Sequence, residues 1–154
     1  MAKKQIVVFE VDGNEFGIDI HFINGILKIK NLKILPLPNA QATLEGLINI
    51  RGTVYPVFNL RKKFDYSNVA VEADAKLVII KIEKGDFAFI VDDVTDIFKI
   101  DESDIEKTTN LISEGKCNYI KGFAKVDSKI VIILDLNKVF HNEEILTINH
   151  TDYL

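Results

Sequence analysis

Residues 44–64 read LEGLINIRGTVYPVFNLRKKF, and residues 120–140 read IKGFAKVDSKIVIILDLNKVF. At a constant offset of 76, Gly46 falls on Gly122, Val54 on Ile130, Val57 on Ile133, Leu60 on Leu136 and Phe64 on Phe140. An upstream block also returns: IVVFEVDGNEFGIDIHFINGILKI (6–29) reappears as LVIIKIEKGDFAFIVDDVTDIFKI (77–100) at an offset of 71, without gaps. Phe16 then meets Phe87, Ile23 meets Val94, Ile26 meets Ile97, and Lys28-Ile29 meets Lys99-Ile100. Two gapless blocks in the same order describe a duplicated chain. The two offsets differ by five, so the second copy carries five extra residues between its blocks. The units are 6–65 and 77–141, with a polar connector at 66–75 and a tail at 142–154.

Each unit is written mainly as strands, in runs of β-branched and aromatic residues broken by turn signals. Asp12-Gly13 separates two such runs and predicts a hairpin, with Gly85 marking the matching turn. Asn59 and Asp135 are helix N-cap residues, each followed by a Leu-x-x-x-Phe pair, Leu60/Phe64 and Leu136/Phe140. The expectation is that each unit closes a small barrel of its own and plugs one end with a helical turn. A unit of roughly 60 residues buries little core by itself. Packing two together would add a third core and leave a groove at its rim, suited to a partner.

Composition narrows the functional classes. With 47% hydrophobic and 27% charged residues the chain is an ordinary globular protein. No apolar run reaches the roughly 18–20 residues needed to cross a bilayer, and the start, MAKKQIVVFEVDG, is too short in apolar residues for a signal-peptide core. A cytoplasmic protein without direct membrane insertion is expected. The single cysteine, Cys117, excludes an internal disulfide and reads as a bystander thiol. A nucleic-acid-binding small barrel is the competing class, but it needs exposed aromatics on a basic face. No tryptophan and a net charge of −4 argue against it.

No catalytic constellation can be read. His21, His141 and His150 lack metal-ligand spacing, and neither a phosphate-binding glycine loop nor a nucleophile elbow occurs. The acidic run from Asp92 to Glu106 lacks the order of a calcium loop and predicts a solvated anionic edge. Arg61-Lys62-Lys63 reads likewise as a wet basic face. No metal, no cofactor and no enzymatic activity are expected. Arg51 and Arg61 are the only arginines in a chain whose other basic residues are lysine. Arginine's planar fork makes contacts that lysine cannot, which singles out Arg51 as a candidate partner contact.

The pieces FGIDI, ILPLPN, EGLINIRGTVYPVFNLRKKF, FIVDDVTDIFKI, IKGF and IILDLNKVF, in this order, resemble the CheW family of chemotaxis coupling proteins from about residue 5 to 141. The most specific element is Gly-x-x-Asn-x-Arg-Gly-x-x-x-Pro, Gly46 to Pro56, supported by Val-Asp-x-Val at Val91 to Val94. The resemblance implies an all-β fold of two Src-homology-3-like five-stranded barrels packed together. It implies a non-catalytic adaptor between chemoreceptor tips and the regulatory domain of the histidine kinase CheA, held in receptor arrays through those partners. Carried over by motif, Arg51, Gly46, Ile23, Ile26 and Val94 are expected to bind the receptor. Val54, Glu106 and Leu111 are expected to face the kinase. Two departures, Gly25 in place of the usual acidic residue and Gln41 near the usual second proline, leave room for a paralogous array.

Overall fold

The computed structural model describes residues 3–39, 42–64, 66, 73–107 and 119–139. Among these residues eleven strands fall into two sheets. In chain order they are β1 (Lys3–Val11), β2 (Asn14–Asp19), β3 (Ile23–Lys28), β4 (Leu44–Ile50), β5 (Thr53–Asn59), β6 (Lys76–Ile82), β7 (Gly85–Val91), β8 (Asp93–Asp101), β9 (Glu106–Lys107), β10 (Ile120–Val126) and β11 (Lys129–Leu134). Two short helices, α1 (Leu60–Lys63) and α2 (Leu136–Val139), follow β5 and β11, and 3-10 turns occupy Ile20–Phe22 and Glu102–Asp104.

The sheets do not follow the repeats. One sheet runs β3-β6-β7-β5-β4 and the other β8-β1-β2-β11-β10-β9. Offsets of 71 and 76 carry β3, β6 and β7 onto β8 and, backwards, onto β1 and β2, and β5 and β4 onto β11 and β10. The first order thus becomes the second, with β9 added at the edge. The duplication is real, but the expectation that each unit builds its own barrel is corrected. Each barrel takes strands from both units, joined through the parallel pairs β5–β7 and β11–β2. The physical reason lies at the crossovers. After the hairpin β1–β2 the chain turns at Ile20–Phe22 and enters the opposite sheet as β3, and after β6–β7 it crosses back as β8.

Three cores result. Ile48, Tyr55, Val57, Leu77, Ile79 and Ile90 fill one barrel. Ile6, Val8, Ile100, Ala124, Val131 and Ile133 fill the other. Between them lies a larger shared core holding Phe9, Phe16, Phe58, Phe87 and Phe89 with aliphatic residues of both sheets. Strand alternation produces this division. In β1, Ile6 and Val8 enter a barrel while Phe9 and Val11 face the other sheet. The Asn59 side chain accepts from Arg61 N at 3.0 Å and that of Asp135 from Asn137 N at 3.0 Å, so both expected N-caps form. Their helices do not plug barrel ends, however. Leu60, Leu136 and Val139 belong to the shared core, and Phe64 packs against it.

Gly46 and Gly122 have the same job in the two halves. A Cβ on Gly46 would collide with the carbonyl oxygen of Leu35, and one on Gly122 with that of Glu106. Leu35 and Glu106 are themselves 71 apart, and each lies along the strand that carries the glycine, through the bridge Leu35–Leu47 and the pair Phe123–Glu106. The expected destabilisation for Gly122→Ala is about 1–3 kcal/mol, because backbone must move to admit the methyl group; urea unfolding measures it. Chain halves 1–66 and 73–154, made separately, are each expected to lack a cooperative melt, and to regain one when mixed. A cooperative melt of 1–66 alone near that of the intact chain contradicts the exchange of strands.

Candidate functional site

The shared core does not end where the sheets end. Side chains directly opposite each other on neighbouring strands point to the same face. Ile26 lies opposite Val78, a shared-core residue, and Ile97 lies opposite Val7, on the Phe9 face of β1. Both therefore project on the faces that the two sheets turn toward each other, from the edge strands β3 and β8. Both are exposed, Ile26 at 38% and Ile97 at 51%. Ile23 and Val94, also related by the repeat, are half-buried against the shared core next to them. Ile23, Ile26 and Val94, singled out from the sequence, thus lie on these two edge strands, and Ile97, which was not singled out, lies beside Val94 on β8. The signal was available, since Ile97 is the repeat equivalent of Ile26.

A second related pair marks the far ends of the same faces. Val54 on β5 and Ile130 on β11 are 45% and 63% exposed. Each precedes by four residues a shared-core residue on its own strand, Phe58 or Leu134, and so lies on the same face. Leu35 is exposed beside Val54's end, opposite Leu47. Among the described residues, the large exposed apolar side chains are these five.

Arg51 sits with Gly52 at the tip of the β4–β5 hairpin. Both have positive φ, 51° and 89°, the geometry of a type I′ two-residue turn. Asn49 supports it, its side-chain oxygen accepting from Gly52 N at 2.9 Å. The Arg51 side chain is exposed, and among the described residues it enters no ion pair. Its repeat equivalent is Asp127, at the tip of β10–β11 with φ 57°. The antiparallel bridge Leu35–Leu47 runs the residues just before Leu35, Lys33 among them, toward the Arg51 end of β4, and the equivalent of Lys33 is Asp104. Asp104, Glu106 and Asp127 line an open cleft of about 490 Å³ with Phe98 and Lys125. The two ends share a backbone plan and apolar anchors but carry opposite charge at two equivalent positions, Arg51/Asp127 and Lys33/Asp104.

Of the residues expected to face the kinase, Val54 is exposed on β5. Glu106 is exposed on β9 at the opposite end, paired with Lys125 at 3.3 Å. Leu111 lies outside the described residues. Gly46 is buried, and its need for glycine is the close backbone approach described above.

Arg61 is not part of a wet basic face. Its Nε donates to Asp92 Oδ1 at 2.9 Å and its Nη2 to Asp92 Oδ2 at 2.7 Å, while Nη1 donates to Asp12 Oδ1 at 3.0 Å. The bidentate bond to Asp92 is the main cause that holds the guanidinium pKa above its ordinary value, against the opposing effect of burial. Asp92 accordingly leaves the solvated acidic edge to which the sequence assigned it. Lys62 also pairs, with Glu45 at 2.9 Å. Among the described residues no group of three or more His, Cys, Asp or Glu could hold a metal ion, and no helix is long and apolar enough to cross a membrane.

Comparison with known proteins bears on both sheets. A family model, the CheW-like domain, matches residues 5–144. The chain is similar to the chemotaxis protein CheW of Thermotoga maritima, 29% identical over 139 residues, covering 88% of this chain and 86% of that one. The CheW of Treponema pallidum is 27% identical over 145 residues, covering 92% of this chain and 84% of the relative. Among solved structures, the crystal structure of the scaffolding protein TtCheW from Thermoanaerobacter tengcongensis superposes with a TM-score of 0.82 at 31% identity, covering 91% of this chain and 94% of that one.

Proposed function

The chain belongs to the CheW-like domain family, and we propose that it is a non-catalytic adaptor joining the helical tips of chemoreceptors to the regulatory domain of the histidine kinase CheA. The observation that carries this reading is that the family match and the likeness to a scaffolding protein extend over both sheets, the whole unit that an adaptor needs. In this reading the protein works in the cytoplasm and reaches the membrane only through the receptors.

The receptor tip, a helical hairpin, docks on the rim of the shared core. Apolar side chains at helical spacing need apolar counterparts that stay exposed in the free protein, and Ile26 and Ile97 supply them on two edge strands. Ile23 and Val94 form the floor beside them. Arg51, on a rigid turn and unpaired among the described residues, adds a charged contact for receptor carboxylates. The kinase takes the ends marked by Val54 and, in the other barrel, by Ile130 and Glu106, with Leu111 assigned to the same partner. Opposite charge at the two ends gives a double-barrel partner one favoured orientation at each.

Arg51→Glu in the full chain is expected to fold normally and to lose about 2 kcal/mol or more of affinity for a receptor hairpin fragment, the scale of an interface arginine. Ile97→Asp is expected to lose a similar amount for the same fragment, while Val54→Asp weakens the kinase regulatory domain instead. Calorimetric titration of each variant against both partners checks the assignments. Wild-type affinity of all three variants for both partners overturns them.

A further inference from the structure

The two crossovers between the sheets occupy equivalent places in the repeat, yet they are fastened differently. At the first, Asp19 caps the turn Ile20–Phe22, its carboxylate accepting from His21 N at 3.0 Å. At the second there is no such turn. β7 ends at Val91 and β8 begins at Asp93, leaving Asp92 alone to carry the chain from one sheet to the other. Asp92 N donates to Glu10 O at 2.9 Å, which ties the corner to β1. The Asp92 carboxylate accepts three further bonds, two from Arg61 and one from Asp12 N at 2.8 Å. Arg61 also holds the Asp12 carboxylate, so three segments meet at one guanidinium: the β1–β2 turn, the start of β8, and α1. At the first crossover the equivalents of Asp92, Arg61 and Asp12 are His21, Asn137 and Glu83. The fold built twice does not require this cluster.

We propose that Arg61, with Asp92 and Asp12, is a clasp that seats strand β8, making Arg61 a positioning residue for the β8 side of the receptor rim. β8 is an edge strand, bonded on one side only, to β1. Its register on β1 shifts between Val8 and Phe9, where an extra residue enters β8 between Val94 and Asp96. Such a strand can slide or fray unless its entry point is fixed. The clasp fixes Asp92, two residues before Val94 and five before Ile97. The planar fork of arginine satisfies both carboxylates at once, whereas a lysine ammonium cannot span them with the same directions. Because α1 follows β5 directly, the clasp also connects the rim to the hairpin that carries Arg51.

The part of this inference that concerns the receptor rests on the adaptor reading, and the experiment separates the two. In the full chain, Arg61→Ala and Arg61→Lys are compared with wild type by amide hydrogen exchange and by titration with a receptor hairpin fragment and with the kinase regulatory domain. Arg61→Ala is expected to speed exchange in 93–101 about tenfold more than in 23–28, the equivalent edge strand, which equals about 1.4 kcal/mol of local opening. Affinity for the hairpin is expected to fall about tenfold while kinase-domain affinity changes less than about twofold, with Arg61→Lys intermediate. Equal loss of protection in both edge strands, or unchanged exchange in β8, overturns the clasp. If wild type binds no hairpin, the adaptor reading falls, and the exchange comparison still decides whether Arg61 seats β8.

Discussion

Packing of the two sheets against each other constrains everything else in the molecule. Phe9, Phe16, Phe87 and Phe89 are almost fully buried there, and Phe9 lies 5.4 Å from Phe89 across the sheets, ring centre to ring centre. Each such side chain withdraws enough apolar surface to contribute about 1.5–3 kcal/mol, so neither sheet could expose this face to water unaided. The same faces run on past the core to Ile26, Ile97, Val54 and Ile130. The exposed apolar surface is therefore a continuation of the surface that holds the protein together, and the shared core dictates where it emerges.

Much of this could be read in the sequence because duplication leaves a ruler in the chain. The offsets of 71 and 76 reproduce the strand boundaries: β4 onto β10 to the residue, and α1 onto α2. Local chemistry gave the Asp12-Gly13 hairpin and both N-caps, since each depends on residues close in sequence. Strand exchange was not legible. The pairs that reveal it, Ile132 with Phe16 and Val57 with Ala88, are distant in sequence, and an alternating strand carries no mark of the sheet it will join. Arg61 was misread for the same reason, as its carboxylate partners lie 31 and 49 residues away in opposite directions. Ile97 could have been found by applying the repeat to Ile26.

The halves have kept their backbone and parted in their side chains. Lys30, Lys33 and Arg51 stand where Asp101, Asp104 and Asp127 stand in the other half, and one crossover has a capped turn where the other has an arginine cluster. Gly46 and Gly122 are unchanged between them because the constraint on each is a backbone atom of the same fold.

Exchange of strands between repeats has a consequence for how such a chain could arise. A polypeptide carrying one repeat would hold β1 and β2 of one sheet and β3, β4 and β5 of the other, but not the strands that complete either sheet. It could reach this architecture only as two identical molecules, each lending strands to its mate, with a stability that rises with concentration. Fusion into one chain replaces that dependence with a fixed local concentration set by the connector. It also ends the enforced identity of the two ends. A symmetric pair must present the same charge twice, and a single chain can be positive at one end and negative at the other.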